Sequence, residues 1–214
     1  MTQRRSSTAR DDLVRAAERL VAEKGVHGAR ASEVVKAAGQ RNNSAVAYHF
    51  GSWENLLVAV WESHIVVINE ERTAFLARAR DKGVIDLAAL VQAYIEPLVA
   101  DIARHSPSYW ARFSEQWMAS VPMEFFAIDS EPGGTYPTSG SILVLHNLFT
   151  EIAESLEHLP VDQRTRRVGL MSRHVIAALA AWERDPAPAQ TLESLQDELV
   201  NTSVAMLEAP GVGR

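Results

Sequence analysis

Three glycines, Gly25, Gly39 and Gly51, divide the first quarter of the chain into short helical patterns. Glycine reaches the left-handed backbone conformation that ends many helices without the steric cost that a Cβ brings. Each of these glycines is therefore a predicted helix end. The spacing predicts three short helices, followed from Ser52 by a longer one.

The first helix is predicted from about Thr8 to Lys24, with a cation in its last turn. Its apolar residues recur at the spacing of one helix face: Leu13, Ala16, Ala17, Leu20 and Val21. The polar segment before it carries Arg4 and Arg5 and is expected to be disordered. It is either an arm that lies along a nucleic-acid backbone or in a minor groove, or a solvated tail.

The second and third helices are short, and a polar turn joins them. The second begins near Ala31 or Ser32 and ends at Gly39, and the third spans residues 44–49. Two short helices joined in this way are typical of a helix-turn-helix DNA reader, in which the second is the recognition helix.

The residue types around the third helix suit a DNA duplex. Arg and the amides of Asn or Gln form bidentate hydrogen bonds with purine edges, and Ser, Tyr, His and backbone amides at a helix start suit phosphate oxygens. Asparagines ahead of a helix are also ordinary caps and turn formers, so their individual roles stay open. The predicted DNA-binding residues are Arg30, Ser32, Gln40, Arg41, Asn42, Asn43, Ser44, Tyr48 and His49.

The chain resembles the tetracycline-repressor (TetR) family of bacterial transcription regulators in the segments AAERLVAEKG, VVKAAG, YHFGS and the LL that follows. The resemblance covers about the first quarter of the chain. It implies a homodimer whose recognition helices enter successive major grooves of a palindromic operator, and a helical body that binds a small molecule and then releases the DNA. The chain departs from the family pattern in a longer turn before Tyr48, in Arg30 where many members have a capping Thr, and in Trp53 where many have a phosphate-contacting Lys.

Charge is distributed unevenly along the chain. Residues 1–50 carry nine Lys or Arg against five Asp or Glu, a balance of +4, whereas the remainder carries 12 against 22, a balance of −10. An acidic body repels phosphate, which favours the N-terminal part as the nucleic-acid surface. Chance fluctuation over short helices is the alternative explanation. We divide the chain into a DNA-binding head, residues 1–51, and a ligand-binding and dimerisation body, residues 52–214.

The body is predicted to be helical, so the fold class is all-α: a three-helix helix-turn-helix head and a helical ligand-binding and dimerisation body. The predicted helices run over Ser52–Ala79, Asp86–Arg104, Pro107–Ser120, Ser141–Leu159, Val161–Arg184 and Leu192–Leu207. The glycine- and proline-rich segment Ile128–Gly140 is a predicted loop and a candidate entrance flap. The first body helix is long enough to leave the head, so a shift at its far end would change the spacing of two heads in a dimer.

Large aromatic side chains and methionines concentrate near the middle of the chain. Such a cluster lines an apolar ligand pocket or simply forms core, and the pattern does not decide between the two. Interpreted as a pocket, with a few polar groups that orient the ligand, it predicts ligand-binding roles for Trp110, Phe113, Trp117, Met118, Phe126, His146, Phe149 and His174.

The candidate dimer interface is the pair of amphipathic helices at 141–159 and 161–184. The second of them contains four small residues that permit close approach of another helix: Ala177, Ala178, Ala180 and Ala181. With its twofold mate, this pair would form a four-helix bundle. Packing within the monomer is the alternative, because amphipathicity does not say which surface covers the apolar stripe.

Several classes of function lack their sequence marks. The chain has no cysteine, which excludes disulfides, Cys-type zinc sites and thiol catalysis. His146, His158 and His174 lack the i, i+4 partner typical of a zinc-binding helix, and no phosphate loop or nucleophile elbow stands out, so we expect no metal, no cofactor and no enzyme activity. The absence of a secretion signal or a membrane-spanning apolar run predicts a cytoplasmic protein with no membrane partner.

Together these patterns predict a ligand-responsive, homodimeric transcription regulator, most simply a repressor that a small apolar or aromatic effector releases from its operator. The first alternative is a helical ligand-binding or enzymatic protein whose head no longer binds DNA specifically. The second is a general nucleoid-type DNA binder, which the acidic body disfavours.

Overall fold

The computed structural model describes residues 2–83, 85–119, 140–186 and 191–211, and of residues 2–7 and 141 it describes the backbone alone. In these segments the chain forms nine helices and no strands, which confirms the all-α prediction. The helices are α1 (Thr2–Lys24), α2 (Ala31–Ala37), α3 (Ala45–Phe50), α4 (Trp53–Asp81), α5 (Leu87–Arg104), α6 (Trp110–Ala119), α7 (Gly140–Ser155), α8 (Val161–Arg184) and α9 (Leu192–Glu208).

The head is a three-helix unit closed by the first turns of α4. Helix α1 packs against α2 and α4, and α3 packs against both α2 and α4. Apolar side chains from all four helices fill its core, among them Leu13, Ala17, Val21, Val34, Val35, Val46, Phe50 and Leu56. The helices of the head end next to Gly25, Gly39 and Gly51, as predicted, and all three glycines have a positive φ.

The N-terminal segment differs from the prediction. Helix α1 begins at Thr2, before the predicted start at Thr8, so the backbone that carries Arg4 and Arg5 continues the helix and does not form a disordered arm. No glycine or proline interrupts residues 2–24, and nothing in the segment therefore ends the helix early.

Helix α4 connects the head to the body, as its length predicts. The Ser52 hydroxyl caps its start by accepting a hydrogen bond from the backbone N–H of Asn55, at 3.1 Å. The helix packs against α1 and α3 at the head end and against α5 and α7 in the body. A shift of α4 therefore moves groups in both parts of the molecule.

The remaining body helices pack around α5 and α8. Helix α5 contacts α4, α7 and α9, while α8 contacts α6, α7 and α9. Helix α6 begins at Trp110, later than the predicted Pro107, because a residue of another helix caps its first turn. The carboxylate of Glu183, on α8, accepts hydrogen bonds from the backbone N–H groups of Ala111 and Arg112 at 3.1 and 2.9 Å.

Helix α7 spans Gly140–Ser155, whereas the prediction placed its end at Leu159. The chain leaves the helix through short turns, in which the N–H of Leu156 bonds the carbonyl of Ala153 at 3.2 Å and that of Leu159 bonds Leu156 at 2.9 Å. Gly140 belongs to α7, so it is not part of the predicted loop; the rest of that loop, residues 128–139, lies outside the described residues. No helix in the described segments is both long and apolar enough to span a bilayer.

Candidate nucleic-acid interface

The turn between α2 and α3 begins with a tightly bonded helix end. Gly39, with φ +66°, donates its N–H to the carbonyl of Lys36 at 3.1 Å, and the N–H of Gln40 reaches the carbonyl of Val35 at 3.0 Å. This pair of bonds is a Schellman motif, which satisfies carbonyls that the helix leaves without intrahelical partners. The chain thus leaves α2 in a fixed direction, and that direction sets where α3 begins.

The start of α3 is held by Asn42. Its side-chain Oδ1 accepts a hydrogen bond from the N–H of Ser44 at 2.9 Å, and its backbone carbonyl accepts one from the N–H of Ala45 at 3.0 Å. Asn42 therefore has the turn-forming role that the sequence left open. Ser44, at the N-cap, makes no side-chain capping bond.

Helix α3 divides cleanly into a buried and an exposed side. Ala45, Val46 and Phe50 are buried in the head core, while Tyr48 is 80% exposed. The residues 41–44 that precede the helix are all exposed. A short helix anchored by apolar residues thus presents a polar turn and a phenol to solvent, and these are the groups that contact base edges and phosphates in DNA readers.

The other predicted DNA-binding residues lie beside this surface with different exposure. Arg30, at the N-cap of α2, and Ser32, in its first turn, are exposed. Gln40 is half-buried and its Nε2 donates to the carbonyl of Ala38 at 3.4 Å. His49 is also half-buried, with its ring edge-on to that of Tyr48 at a centroid distance of 4.9 Å. The structure therefore turns Gln40 and His49 partly inward.

Several positioning residues were missed in the sequence analysis. Glu33 accepts hydrogen bonds from Lys24 Nζ at 2.7 Å and from the N–H of Arg30 at 3.2 Å, which ties the end of α1 to the start of α2. The bond with Lys24 lowers the pKa of Glu33 below its usual value. An acidic residue three positions after a helix start is the sequence signal that identifies such a capping role.

The end of α3 is fixed in a comparable way. Asn55 Nδ2 donates to the carbonyl of Phe50 at 2.8 Å, and the guanidinium carbon of Arg10 lies 4.9 Å from the centre of the Phe50 ring. Trp53 is half-buried and packs against the head core. Helices α1, α3 and α4 are thereby locked together around the base of the exposed surface.

Comparison with known proteins agrees with this geometry. Residues 13–60 match the family model described as bacterial regulatory proteins, tetR family. The first part of the chain is thus similar to TetR-family proteins. The matched segment contains the helix-turn-helix and the first turns of α4. No curated protein matched the chain.

Solved structures align with this chain over most of its length. The fatty acid degradation regulator FadR from Bacillus halodurans is 14% identical, with 91% of this chain and 93% of that chain covered and a TM-score of 0.50. A protein described as a tetR family transcription regulator, from Shewanella sp. PV-4, is 19% identical, with coverages of 93% and 95% and a TM-score of 0.48. One from Mesorhizobium loti is 16% identical, with coverages of 95% and 96% and a TM-score of 0.46.

The residues predicted to bind a ligand in the body do not form one cluster. Trp110 and Phe113 are buried, with ring centroids 6.0 Å apart, and Trp117 lies 6.2 Å from Phe113 and 5.7 Å from Trp61. Met118 is half-buried at the end of the same helix, α6. The structure therefore brings together three of the predicted aromatic residues on α6.

The other predicted ligand-binding residues lie elsewhere in the body. Phe149 is buried on α7, with its ring 5.2 Å from that of Tyr94. His174 Nε2 is 3.3 Å from the hydroxyl of Thr202, and His146 is half-buried on α7. Phe126 lies outside the described residues.

Head and body meet at a buried charged cluster centred on His64 of α4. His64 Nδ1 is 2.6 Å from Asp101 Oδ2, on α5, and its Nε2 is 3.4 Å from Glu18 Oε1, on α1. Its ring stacks on that of Trp110 at a centroid distance of 4.6 Å. Burial opposes the charge on His64, yet the hydrogen bonds with Asp101 and Glu18 outweigh burial and raise its pKa to about 9. The imidazole is therefore protonated at neutral pH.

A cleft of about 810 Å³ opens beside this junction. Residues of α1 and the end of α2 form its head side, and Ser63, His64, His105 and Tyr109 form its body side. Much of its lining is charged, and none of the predicted ligand-binding residues lines it. The cleft therefore separates the two parts beside the junction and does not coincide with the predicted effector site.

Proposed function

We propose that this protein is a cytoplasmic, homodimeric repressor of the TetR family that binds a palindromic operator through Arg41, Asn43, Ser44 and Tyr48, and that releases it when an effector binds the body. The observation that carries the proposal is the exposed side of α3. Tyr48 is 80% exposed beside the exposed polar residues 41–44, and hydroxyl, amide and guanidinium groups of this kind contact phosphates and base edges.

Duplex DNA fits this surface by chemistry and by charge. Arg41 suits a bidentate contact with guanine, Asn43 suits one with adenine, and the hydroxyls of Ser44 and Tyr48 suit phosphate oxygens. Lys and Arg outnumber acids in residues 1–50, so the head attracts phosphate while the acidic body repels it. Asn42 is already engaged in the turn, and we assign it a positioning role.

The exposed face of α8 supports the proposed dimer. Leu170 is 45% exposed, and Ala177 and Ala181 are exposed on the same helix face. On the neighbouring helix α7, Leu143 is 55% exposed. An apolar, small-residue face of this kind suits close packing against the same face of a second copy around a twofold axis.

The proposed effector acts through α4, because this helix carries side chains of both head and body cores. An effector releases DNA when it binds more tightly to the dimer whose head spacing does not fit the operator. Trp110, Phe113 and Trp117 lie next to α4 through the contact between Trp117 and Trp61. We expect Trp117→Ala to change the effector response and to leave the DNA affinity of the ligand-free protein nearly intact.

Selection of duplexes from a random-sequence pool by the full chain tests DNA reading and identifies the operator motif in the same experiment. We expect a palindromic motif with half-sites about 34–36 Å apart, or a multiple of that spacing. Tyr48→Ala and Arg41→Ala should weaken binding to the selected duplex, while Arg78→Ala, which removes a charge from the exposed end of α4, should not. Recovery of no enriched motif, or full affinity in both head variants, contradicts the proposal.

Sedimentation analysis tests the dimer independently. We expect a dimer for the native chain and a monomer for Ala177→Glu, which places a charge at the centre of the proposed interface. Ala88→Glu places the same side chain on an exposed turn of α5 and serves as the matched control. A dimer that survives Ala177→Glu unchanged would rule out this face of α8.

A further inference from the structure

Arg72, on α4, lies entirely within the body core, with 0% of its surface exposed. Its Nε donates to the carbonyl of Ala93 at 3.3 Å, and its Nη1 donates to Oδ1 of Asn69. Its Nη2 has no hydrogen-bond partner among the described residues. Within the part of the chain that the structure describes, the guanidinium therefore keeps one donor group unused.

The charge of Arg72 also lacks a counterion in the described part of the chain. No carboxylate there lies within 4.0 Å of its nitrogens. The ring centre of Tyr94 is 5.8 Å from the guanidinium carbon. Burial raises the pKa of Tyr94 to about 12, so this phenol is neutral and does not balance the charge.

Arg72 nevertheless stays charged. Burial lowers its pKa to about 10, which leaves the guanidinium protonated at neutral pH. An ionised group taken out of water without a partner of opposite charge is strongly unfavourable, and folded proteins pair such groups. Arg72 thus has structural hydrogen bonds with Ala93 and Asn69, and its charge, which no carboxylate among the described residues balances, makes its free Nη2–H a candidate group for binding an anion.

The side chains around Arg72 indicate the chemistry of the rest of that ligand. Tyr94, which faces Arg72, contacts the Phe149 ring at 5.2 Å and hydrogen-bonds with Ser172. Helices α4, α5, α7 and α8 thus meet here, and the side chains from α5 and α7 at this point are the aromatic rings of Tyr94 and Phe149. Phe149 is also one of the residues that the sequence predicted to bind a ligand.

We propose that Arg72 binds the carboxylate of an apolar organic acid, so that the effector of this regulator is a small carboxylic acid. A carboxylate matches the planar donor fork of arginine and accepts the unused Nη2–H in a charge-assisted hydrogen bond. The hydrocarbon part of the acid would lie against Tyr94 and Phe149. The inference rests on the proposed function, because it names the chemical class of the effector that the body binds.

Isothermal titration calorimetry of the full chain with hexanoate, octanoate and benzoate, each beside its uncharged primary amide, tests the inference without any variant. We expect at least one acid to bind, and its amide to bind at least about tenfold more weakly, because only the acid carries the charge that Arg72 lacks. No binding by any of the three acids, or equal binding of acid and amide, would overturn the inference.

Variants assign the effect to Arg72. Arg72→Met should weaken binding of the acid at least about tenfold and leave binding of the amide nearly unchanged. Arg72→Lys, which keeps the charge, should bind the acid more weakly than the native chain and more tightly than Arg72→Met. Arg80→Met removes a charge from the same helix, where Arg80 pairs with Glu151 at 2.7 Å on the surface, and should leave both affinities unchanged. Unaltered acid binding in Arg72→Met would contradict the assignment.

A negative result in this test can be distinguished from a negative result in the operator selection. A protein that selects a palindromic duplex but binds none of the acids refutes the carboxylate and leaves the DNA reader standing. A protein that binds an acid through Arg72 but selects no duplex refutes the repressor and keeps the ligand site.

Discussion

Two buried cations on α4, His64 at the junction with the head and Arg72 in the body core, differ in one respect. His64 has Asp101 on one side and Glu18 on the other, and its charge is balanced within the fold. Arg72 has a carbonyl and an amide as acceptors, and no carboxylate in the described residues balances it. The two residues lie on the same helix, so that helix carries one balanced and one unbalanced buried charge.

The charge of His64 is balanced by carboxylates of the protein itself, whereas that of Arg72 is not balanced within the described residues. Removing one partner of a buried ion pair is strongly destabilising, and an ionised group buried without a partner of opposite charge is itself unfavourable. We therefore infer that the His64 cluster holds head and body together in the ligand-free protein, and that Arg72 reduces its stability until an anion binds. The following predictions separate these two roles.

Asp101→Ala should have the largest effect on stability. The change removes the acceptor of His64 and also that of Arg104, whose Nη2 is 2.9 Å from Asp101 Oδ1. We expect the free energy of unfolding in urea to fall by about 3–5 kcal/mol. Asp81→Ala, at the exposed end of α4, is the control and should change it little. A loss for Asp101→Ala as small as that of the control would show that the junction is not held by this pair.

Stability should depend on pH through His64. Its pKa of about 9 in the folded protein exceeds the ordinary value of 6.5, so the stabilisation is fully present below pH 6.5 and is lost as the pH rises through about 9. The loss should reach about 3 kcal/mol at most, at 1.36 kcal/mol per unit of pKa difference. Unfolding titrations in urea at a series of pH values measure it, and His64→Gln should flatten the profile. A native profile as flat as that of the variant would contradict the pairing.

Glu18→Gln should have a smaller effect, because Glu18 is the more distant and more exposed partner of His64. We expect a loss of about 1 kcal/mol in the free energy of unfolding, the usual contribution of one hydrogen bond. Hydrogen exchange of α1 amides should also become faster, since this bond ties α1 to α4. Glu23→Gln makes the same change at an exposed position of α1; similar losses in the two variants would remove Glu18 from the junction.

Arg72→Met should have the smallest effect in the absence of ligand. The variant removes a buried charge without a counterion among the described residues, but it also leaves the Ala93 carbonyl and Asn69 Oδ1 without their Arg72 donor, so we expect the two effects to offset each other and stability to stay within about 1 kcal/mol of the native value. Urea denaturation without added acid measures the difference. A loss as large as that of Asp101→Ala would mean that Arg72 is a structural residue, and the contrast between the two cations would disappear.

Local sequence signals predicted most of the fold. The glycines at 25, 39 and 51, the Ser52 cap and the helical spacing of apolar residues placed α2, α3, α4 and α8 within a residue or two of their observed bounds. Errors arose where distant groups decide a helix end. Helix α6 starts at Trp110 because Glu183, far along the chain, caps its first turn, and no local pattern contains that information.

The site was predictable to a lesser degree for the same reason. Exposure of Arg41 and Tyr48 follows from local helix geometry, and both were singled out from the sequence. The His64 cluster was not, since Glu18, His64 and Asp101 come together only when three helices pack. Arg72 carries no sequence signal either, because an arginine in an amphipathic helix is ordinarily exposed.

Fluorescence anisotropy measures whether the full chain binds DNA in a sequence-specific way. The two probes are the duplex just upstream of its own gene and a scrambled duplex. At physiological salt we expect the upstream duplex to bind about 10³-fold or more tightly than the scrambled one. We also expect raised salt to weaken binding to both duplexes. Equal affinity for the two duplexes at low and at physiological salt would contradict a sequence-specific regulator.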